Sequence, residues 1–201
     1  IEKNGAVLLD RPAVDAEHEN DAPRILNTAD IVAFADEVDL SRIAAPLKKQ
    51  LELNLAIAQH GLAHGSGTGI GRVLLSGGED SLPTRARAWA AAGSDARMSG
   101  EEKPVVILSG SGNQGITASV PVAVWALERG YDEEKLLRAL IVSDLVTLHQ
   151  KTGIGRLSAF CGAVCAGCGA GAGIAYLEGE GYEGVAHAVV NALAIISGMV
   201  C

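Results

Sequence analysis

Aromatic residues are scarce in this chain: two Trp, three Tyr and two Phe among 201 residues. Basic charge is also short, with 16 Lys and Arg against 24 Asp and Glu and a net charge of −8. No basic stripe and no aromatic-basic interleaving appears, which excludes a nucleic-acid-binding surface. Long hydrophobic runs are missing as well. No window reaches the ~18 uninterrupted apolar residues that a membrane span needs. The nearest stretches, 163–177 and 185–200, are broken by Gly, His or Asn and read as buried helices of a bundle. No stretch has the pattern of a signal peptide. The four cysteines are Cys161, Cys165, Cys168 and Cys201. Three crowd into eight residues, unlike a secreted disulfide framework. That spacing points to a reducing cytoplasm, with thiols or a metal centre. An initiator Met is also absent. The chain opens in mid-pattern at Ile1-Glu2-Lys3-Asn4-Gly5 and stops on an apolar run at Cys201, so it reads as a piece of a longer protein.

What is present is small and apolar. Hydrophobic residues make up 48% of the chain, mostly Ala, Val, Leu and Ile, alongside 25 glycines. Such a composition is enough for a core, and it predicts helices whose backbones pack close together. Ala6-Val7-Leu8-Leu9 reads as a strand after a turn at Lys3-Asn4-Gly5. Residues 1–26 are therefore taken as the end of an upstream α/β region and a polar linker. Residues 27–201 read as one mainly α domain, a compact bundle of six or seven Gly/Ala-rich helices.

The helix signals are local. Thr28 or Asp30 can cap a first helix, and Asp39 or Ser41 a second. Leu47, Leu51, Leu55 and Ala58 recur at helical spacing, with Pro46 early enough to be tolerated. Glycines 61, 65, 67, 69 and 71 are expected to end that helix. Another is expected over about 82–92, followed by a loop or broken helix at 93–100. A further helix is expected over 116–127. Asp132 caps Glu133–Gln150, with acidic residues in its first turn. The last two helices are expected over 156–177 and 183–200.

The most informative stretch is Ser109-Gly110-Ser111-Gly112-Asn113-Gln114-Gly115, directly after the apolar run Pro104–Leu108. Three glycines let the backbone approach a ligand, and the polar side chains can orient it. Loop amides before a helix form an anion site suited to a carboxylate or phosphate. No Lys-Ser/Thr pair closes the motif, so it is not a phosphate-binding P-loop. The competing reading is an ordinary glycine-rich turn before a capped helix.

Other constellations are weaker. Cys161, Cys165 and Cys168 stand at i, i+4 and i+7, one face of a helix. For Cys165 and Cys168 the favoured reading is a small, buried apolar stripe. A zinc site lacks a second pair to complete four ligands. His60 and His64 are also i, i+4, but no H-E-x-x-H frames them, and they read as surface or helix-end residues. His187 reads as a buried, satisfied histidine, and His149 as one facing a helix C-terminus. Asp95 and Arg97 form a compact charged pair, in which Arg97 suits a carboxylate bidentately. Arg156, ahead of Ser158 and Cys161, opens a helix against its dipole and so invites an anionic partner.

Four segments together resemble the serine dehydratase α-chain-like family, which includes the L-cysteine desulfidases. They are Ser94-Asp95-Ala96-Arg97-Met98, Ser109–Thr117, Arg156-Leu157-Ser158-Ala159 leading to Cys161, and Ser197-Gly198-Met199-Val200-Cys201. The resemblance runs from about residue 27 to the end. It implies an enzyme with a [4Fe-4S] cluster that deaminates a β-substituted amino acid. The family holds its cluster with three cysteines, and two of their motifs map onto Cys161 and Cys201. The third belongs to a G-C-T-E-P motif with no counterpart here, and Cys165 and Cys168 lie outside the family motifs. Three thiolates would leave one iron open to act as a Lewis acid.

The resemblance thus implies release of sulfide, ammonia and pyruvate from L-cysteine, with L-serine dehydration as the alternative. A non-catalytic helical domain binding an amino acid or a partner is a third reading. Ser109, Ser111, Asn113, Gln114, Asp95, Arg97, Arg156 and Ser158 are then substrate-binding candidates. Ser111, Asn113 and Lys151 are catalytic candidates, and Lys151 and Ser111 the candidates for the base. The expected partner is a small amino-acid substrate, with no nucleic acid and no membrane, and a homo-oligomer is open.

Overall fold

A computed structural model describes residues 2–3, 6–7, 25–154 and 160–197, with backbone alone at 2–3, 6–7 and Cys161. Near the start, Glu2–Lys3 pairs antiparallel with Ala6–Val7. The rest is mainly helical, as the sequence predicts. Eight α-helices follow among the described residues: α1 Thr28–Glu37, α2 Ala44–His64, α3 Ile70–Gly77, α4 Leu82–Met98, α5 Gly112–Arg129, α6 Glu133–Thr152, α7 Ala166–Leu177 and α8 Gly181–Ile196. A 3-10 turn at Leu40–Arg42 precedes α2, and a π-helical turn at Cys161–Cys165 leads into α7.

Several boundaries differ from the sequence reading. The cap of α1 is Asn27, whose Oδ1 accepts from the Asp30 amide at 2.9 Å, rather than Thr28 or Asp30. Asp39 caps the 3-10 turn by accepting from the Ser41 amide. Helix α4 runs through Gly93 to Met98, where a loop was expected. Helix α3 was not foreseen, because its glycines read as punctuation. Asp132 caps α6 as expected, by accepting from the Lys135 amide at 2.8 Å.

Helix α5 is the centre of the bundle. It packs against α2 and α4 on one side and against α6 and α7 on the other. One apolar cluster joins Ile57, Ala58, Ala86, Ala90, Ile116, Val120 and Val124 across α2, α4 and α5. A second joins Leu51, Val122, Ala126, Leu137, Leu140 and Leu177. A third, built on Ile31, Val142, Val146, Cys168 and Val185, attaches α1 and α8 to α6 and α7.

Small residues allow these close approaches. A Cβ at Gly169 of α7 would stand 2.0 Å from Thr147 Oγ1 and 2.4 Å from the Ser143 carbonyl oxygen of α6. Cys165 and Cys168 are buried in the same region, and the Cys168 thiol faces the Val189 carbonyl at 3.8 Å. Burial pushes the Cys168 thiol up to about 11, which suits a packing residue and not a metal ligand.

Candidate functional site

The segment before the glycine-rich motif is fixed by a buried asparagine. Asn54 of α2 donates from Nδ2 to the Val106 carbonyl at 3.2 Å, and its Oδ1 accepts from the Val106 amide at 2.9 Å. The same Nδ2 donates to Ser119 Oγ at 3.0 Å. Asn54 therefore ties the backbone of Val106 to α5 through Ser119. Gly115 lets that segment lie directly on the helix, since a Cβ there would stand 2.1 Å from the Val106 carbonyl oxygen.

The chain then reverses tightly. Leu108 and Ser111 exchange both backbone hydrogen bonds at 3.1 Å. The two residues between them, Ser109 (φ 48) and Gly110 (φ 82), are left-handed, as a two-residue hairpin turn requires. A left-handed serine is uncommon and costs backbone strain. Ser111 Oγ accepts from the Gln114 amide at 3.3 Å and caps α5. The helix thus begins at Gly112, four residues earlier than the Ile116 expected from sequence. Asn113 and Gln114 lie in its first turn, where free amides and the helix dipole favour an anion.

Arg97 and Asp95 part company. Arg97 Nη1 donates to Asn113 Oδ1 at 3.1 Å, and its guanidinium covers Gly112. Asp95 instead turns to the loop before α3. It accepts from the amides of Thr68 at 3.1 Å, Gly69 at 2.8 Å and Ile70 at 3.2 Å, and from the Thr68 hydroxyl. Burial works to raise the Asp95 carboxyl, but the amides of Thr68, Ile70 and Gly69 and the Thr68 hydroxyl outweigh it and hold it below the usual range. The expected compact pair is therefore two separate devices: Arg97 orients Asn113, and Asp95 ties down the loop. Replacing Asp95 by Ala should raise hydrogen exchange at Thr68, Gly69 and Ile70 by roughly tenfold or more, leaving α5 amides unchanged. Unchanged loop protection would refute that role.

Glu101 completes the loop anchor by accepting from Ser66 Oγ at 2.7 Å and pairing with His60 Nε2 at 3.0 Å. The His60 and His64 rings stack at 4.3 Å on the α2 end, which agrees with their reading as helix-end residues.

Three side chains, those of Gln114, Lys151 and His149, carry buried polar atoms without a partner among the described residues. Gln114 is 0% exposed, and neither its Nε2 nor its Oε1 has a hydrogen-bond partner among the described residues. Lys151, in the last turn of α6, is 6% exposed, and its Nζ is likewise without one. The π-helical turn bearing Cys161 packs on both α5 and α6. A Cβ at Gly162 would have Asn113 Cβ at 3.7 Å and the Gln114 amide nitrogen at 3.8 Å. The structure thus brings Ser111, Asn113, Gln114 and Arg97 to the start of α5, beside the backbone of the turn that carries Cys161. π turns recur at functional sites. Arg156, Ser158 and Cys201 lie outside the described residues.

Sequence reasoning missed Asn54 and misread one histidine. The signal for Asn54 was a polar residue inside the stripe of Leu51, Leu55 and Ala58. His149 lies in the last turn of α6, the helix C-terminus expected for it, with a buried Nδ1 without a partner among the described residues. His187 is exposed on α8, not buried.

The serine dehydratase alpha chain family matches residues 10–201. The chain belongs to this family. A UPF0597 protein of Desulfitobacterium hafniense is 55% identical over all of this chain and 47% of its own length. UPF0597 proteins of Lachnoclostridium phytofermentans and Treponema denticola are 46% and 42% identical over all of this chain, each over 48% of its own length. The chain spans about half the length of the curated relatives it matches. No solved structure matches it. Among the described residues no helix is long and apolar enough to cross a membrane.

Among the described residues no three His, Cys, Asp or Glu side chains gather around one point. Cys165 and Cys168 are enclosed in the core. Of the two cysteines that the resemblance implies as cluster ligands, Cys161 is described in backbone alone and Cys201 lies outside the described residues.

Proposed function

We propose that this chain forms the amino-acid-binding part of a lyase that eliminates the β-substituent of an L-amino acid, L-cysteine first and L-serine as the alternative. Family membership supports the reaction class. One observation carries the site: Gln114 and Lys151 are buried with polar ends that nothing among the described residues satisfies. Folding does not leave such groups unpaired without cost, about 1–3 kcal/mol for each. A zwitterionic amino acid supplies what they need, a carboxylate for donors and an ammonium for acceptors.

We assign the roles as follows. The free amides at the start of α5, with Ser109 and Ser111, receive the carboxylate. Gln114 Oε1 and Asn113 receive the ammonium, with Asn113 oriented by Arg97. Arg156 and Ser158, which lie outside the described residues, are further candidates on the strength of the sequence motif. Lys151 takes the α-proton, the Cα–H electrons form the Cα–Cβ double bond, the β-group leaves with its bonding pair as hydrosulfide or hydroxide, and the resulting aminoacrylate takes up water to give pyruvate and ammonia. No step here is routed through a cluster. Cys161 and Cys201 are this chain's share of a [4Fe-4S] ligand set whose remaining thiolate lies in the part of the polypeptide beyond it. A reducing cytoplasm suits those thiols.

The test is anaerobic assay of the protein at the length of its relatives, measuring pyruvate from L-cysteine and L-serine, and sulfide from the former. Gln114→Leu should lower kcat/KM by roughly 30-fold or more, chiefly through KM, while leaving thermal stability equal or higher, because an unsatisfied buried amide is removed. No pyruvate from either substrate, or a fully active variant, would refute the reading.

A further inference from the structure

Helix α8 has two apolar faces and only one of them is covered. The inner face, Val185, Val189, Ala192 and Leu193, packs into the cluster shared with α1, α6 and α7. The outer face carries His187, Val190, Asn191, Ala194 and Ile195 at spacings of three, one, three and one, which is a single helical stripe. Val190 is 61% exposed and Ile195 77% exposed. From Val185 to Ile196 there is no charged residue. Helix α3 also exposes Ile70, Val73 and Leu75, but with the charged Arg72 exposed among them. The outer face of α2 presents Lys48, Lys49 and Glu52. A helix that is apolar all round is ordinarily buried all round.

Its relatives show where a cover can come from. The match takes in all of this chain but under half of each relative, 47% and 48% of their lengths. More than half of such a polypeptide therefore lies outside the matched region and is available to cover a face of the bundle. We propose that the outer face of α8, centred on Val190 and Ile195, is the seat of that remaining half. Its complement there is an uncharged apolar surface, since α8 offers it only aliphatic side chains, one imidazole and one amide. Helix α8 also leads directly to Ser197-Gly198-Met199-Val200-Cys201. Covering it would therefore fix the approach of the Cys201 segment to the rest of the protein.

The test uses photocross-linking in the polypeptide at the length of its relatives. p-Benzoylphenylalanine replaces Val190 or Ile195 in turn, and Lys49 as a control on a charged face. The expected result is a product of monomer mass at Val190 and Ile195, whose cross-linked peptide lies outside residues 1–201, with none at Lys49. A product of dimer mass would assign the face to a second copy and overturn the proposal. So would cross-links confined to residues 1–201, or no cross-link at either position. The double variant Val190→Glu, Ile195→Glu gives a second readout, with hydrogen exchange across α8 expected to rise at least roughly tenfold as the cover is lost. Unchanged exchange would count against the contact.

Discussion

Lys151→Met, in the polypeptide at the length of its relatives, is expected to abolish turnover and to make the fold more stable. The two effects have one cause. Lys151 ends α6 with its side chain 6% exposed and its Nζ without a partner among the described residues. An amine placed that way weakens the free protein, because it leaves water and gains nothing in return. Met keeps an unbranched stem of similar length and removes the polar end, so unfolding should cost about 1–3 kcal/mol more. The reaction loses its base by the same change. A positioned general base contributes roughly 10²- to 10⁴-fold, so kcat should fall by roughly 10³-fold with a much smaller change in KM. Exchange of the substrate α-proton with solvent deuterium should vanish with it. A variant that binds substrate, still exchanges that proton and turns over normally would remove Lys151 from the mechanism. One that loses stability and activity together would make it a structural residue.

The opposite signs of these effects matter for reading the site. Polar groups that serve the fold are found in pairs: Gln50 with Asp144, Asn54 with Val106 and Ser119, Ser143 with the Ala118 carbonyl. Removing any of those leaves a partner stranded. Gln114 and Lys151 have nothing comparable among the described residues, so removing them strands nothing. Stability lost on one side and activity on the other is how a binding site differs from a core network.

Much of this arrangement was legible in the sequence and some was not. The apolar stripe of α2, the cap of α6 and the glycine-rich entry to α5 are local patterns, and local chemistry is enough to form them. Helix α4 beyond Ala92 is different. Gly93 reads as a break, yet it lies where α4 crosses α2 and α5, with a Cβ there predicted at 3.0 Å from Ile116 Cγ2 and 3.3 Å from Ala58 Cα. Gly71 plays the same part in α3, facing the Ala88 carbonyl oxygen. A glycine that ends a helix and one that lets two helices touch look identical in sequence, since only the distant partner distinguishes them. Asp95 and Arg97 fail for a related reason. Two residues apart on a helix, they point in different directions, and their real partners, Thr68–Ile70 and Asn113, are 25 to 27 and 16 positions away. Of the site itself, the motif identified Ser111, Asn113 and Gln114, but the burial of Gln114 and its want of partners among the described residues became visible only in three dimensions.

Asp144 gives the largest expected effect outside the site, and its sign is opposite to that of a surface carboxylate. It lies inside the bundle on α6, 9% exposed, where it accepts a hydrogen bond from Gln50 Nε2 of α2 at 3.0 Å. Burial raises its carboxyl from an ordinary 3.8 to about 7, and the single hydrogen bond from Gln50 offsets only part of this. The folded state therefore keeps the proton over a range where the unfolded chain releases it. Stability from this group is fully present below about pH 4 and is lost as pH rises through about 7. At about 1.4 kcal/mol per tenfold in proton affinity, the gap from 3.8 to about 7 corresponds to about 4 kcal/mol. Asp144→Asn removes the titration and keeps a carbonyl oxygen for Gln50. Denaturant unfolding should then show wild type and variant alike near pH 4, diverging through neutrality, with the variant more stable by up to about 4 kcal/mol at pH 8. Parallel pH profiles would mean that the Asp144 carboxylate is already charged in the fold, and a variant weaker at every pH would mean that Gln50 needs a carboxyl rather than an amide. Because Asp144 lies two helical turns before Lys151 on the same helix, the divergence also reports on α6 as a whole.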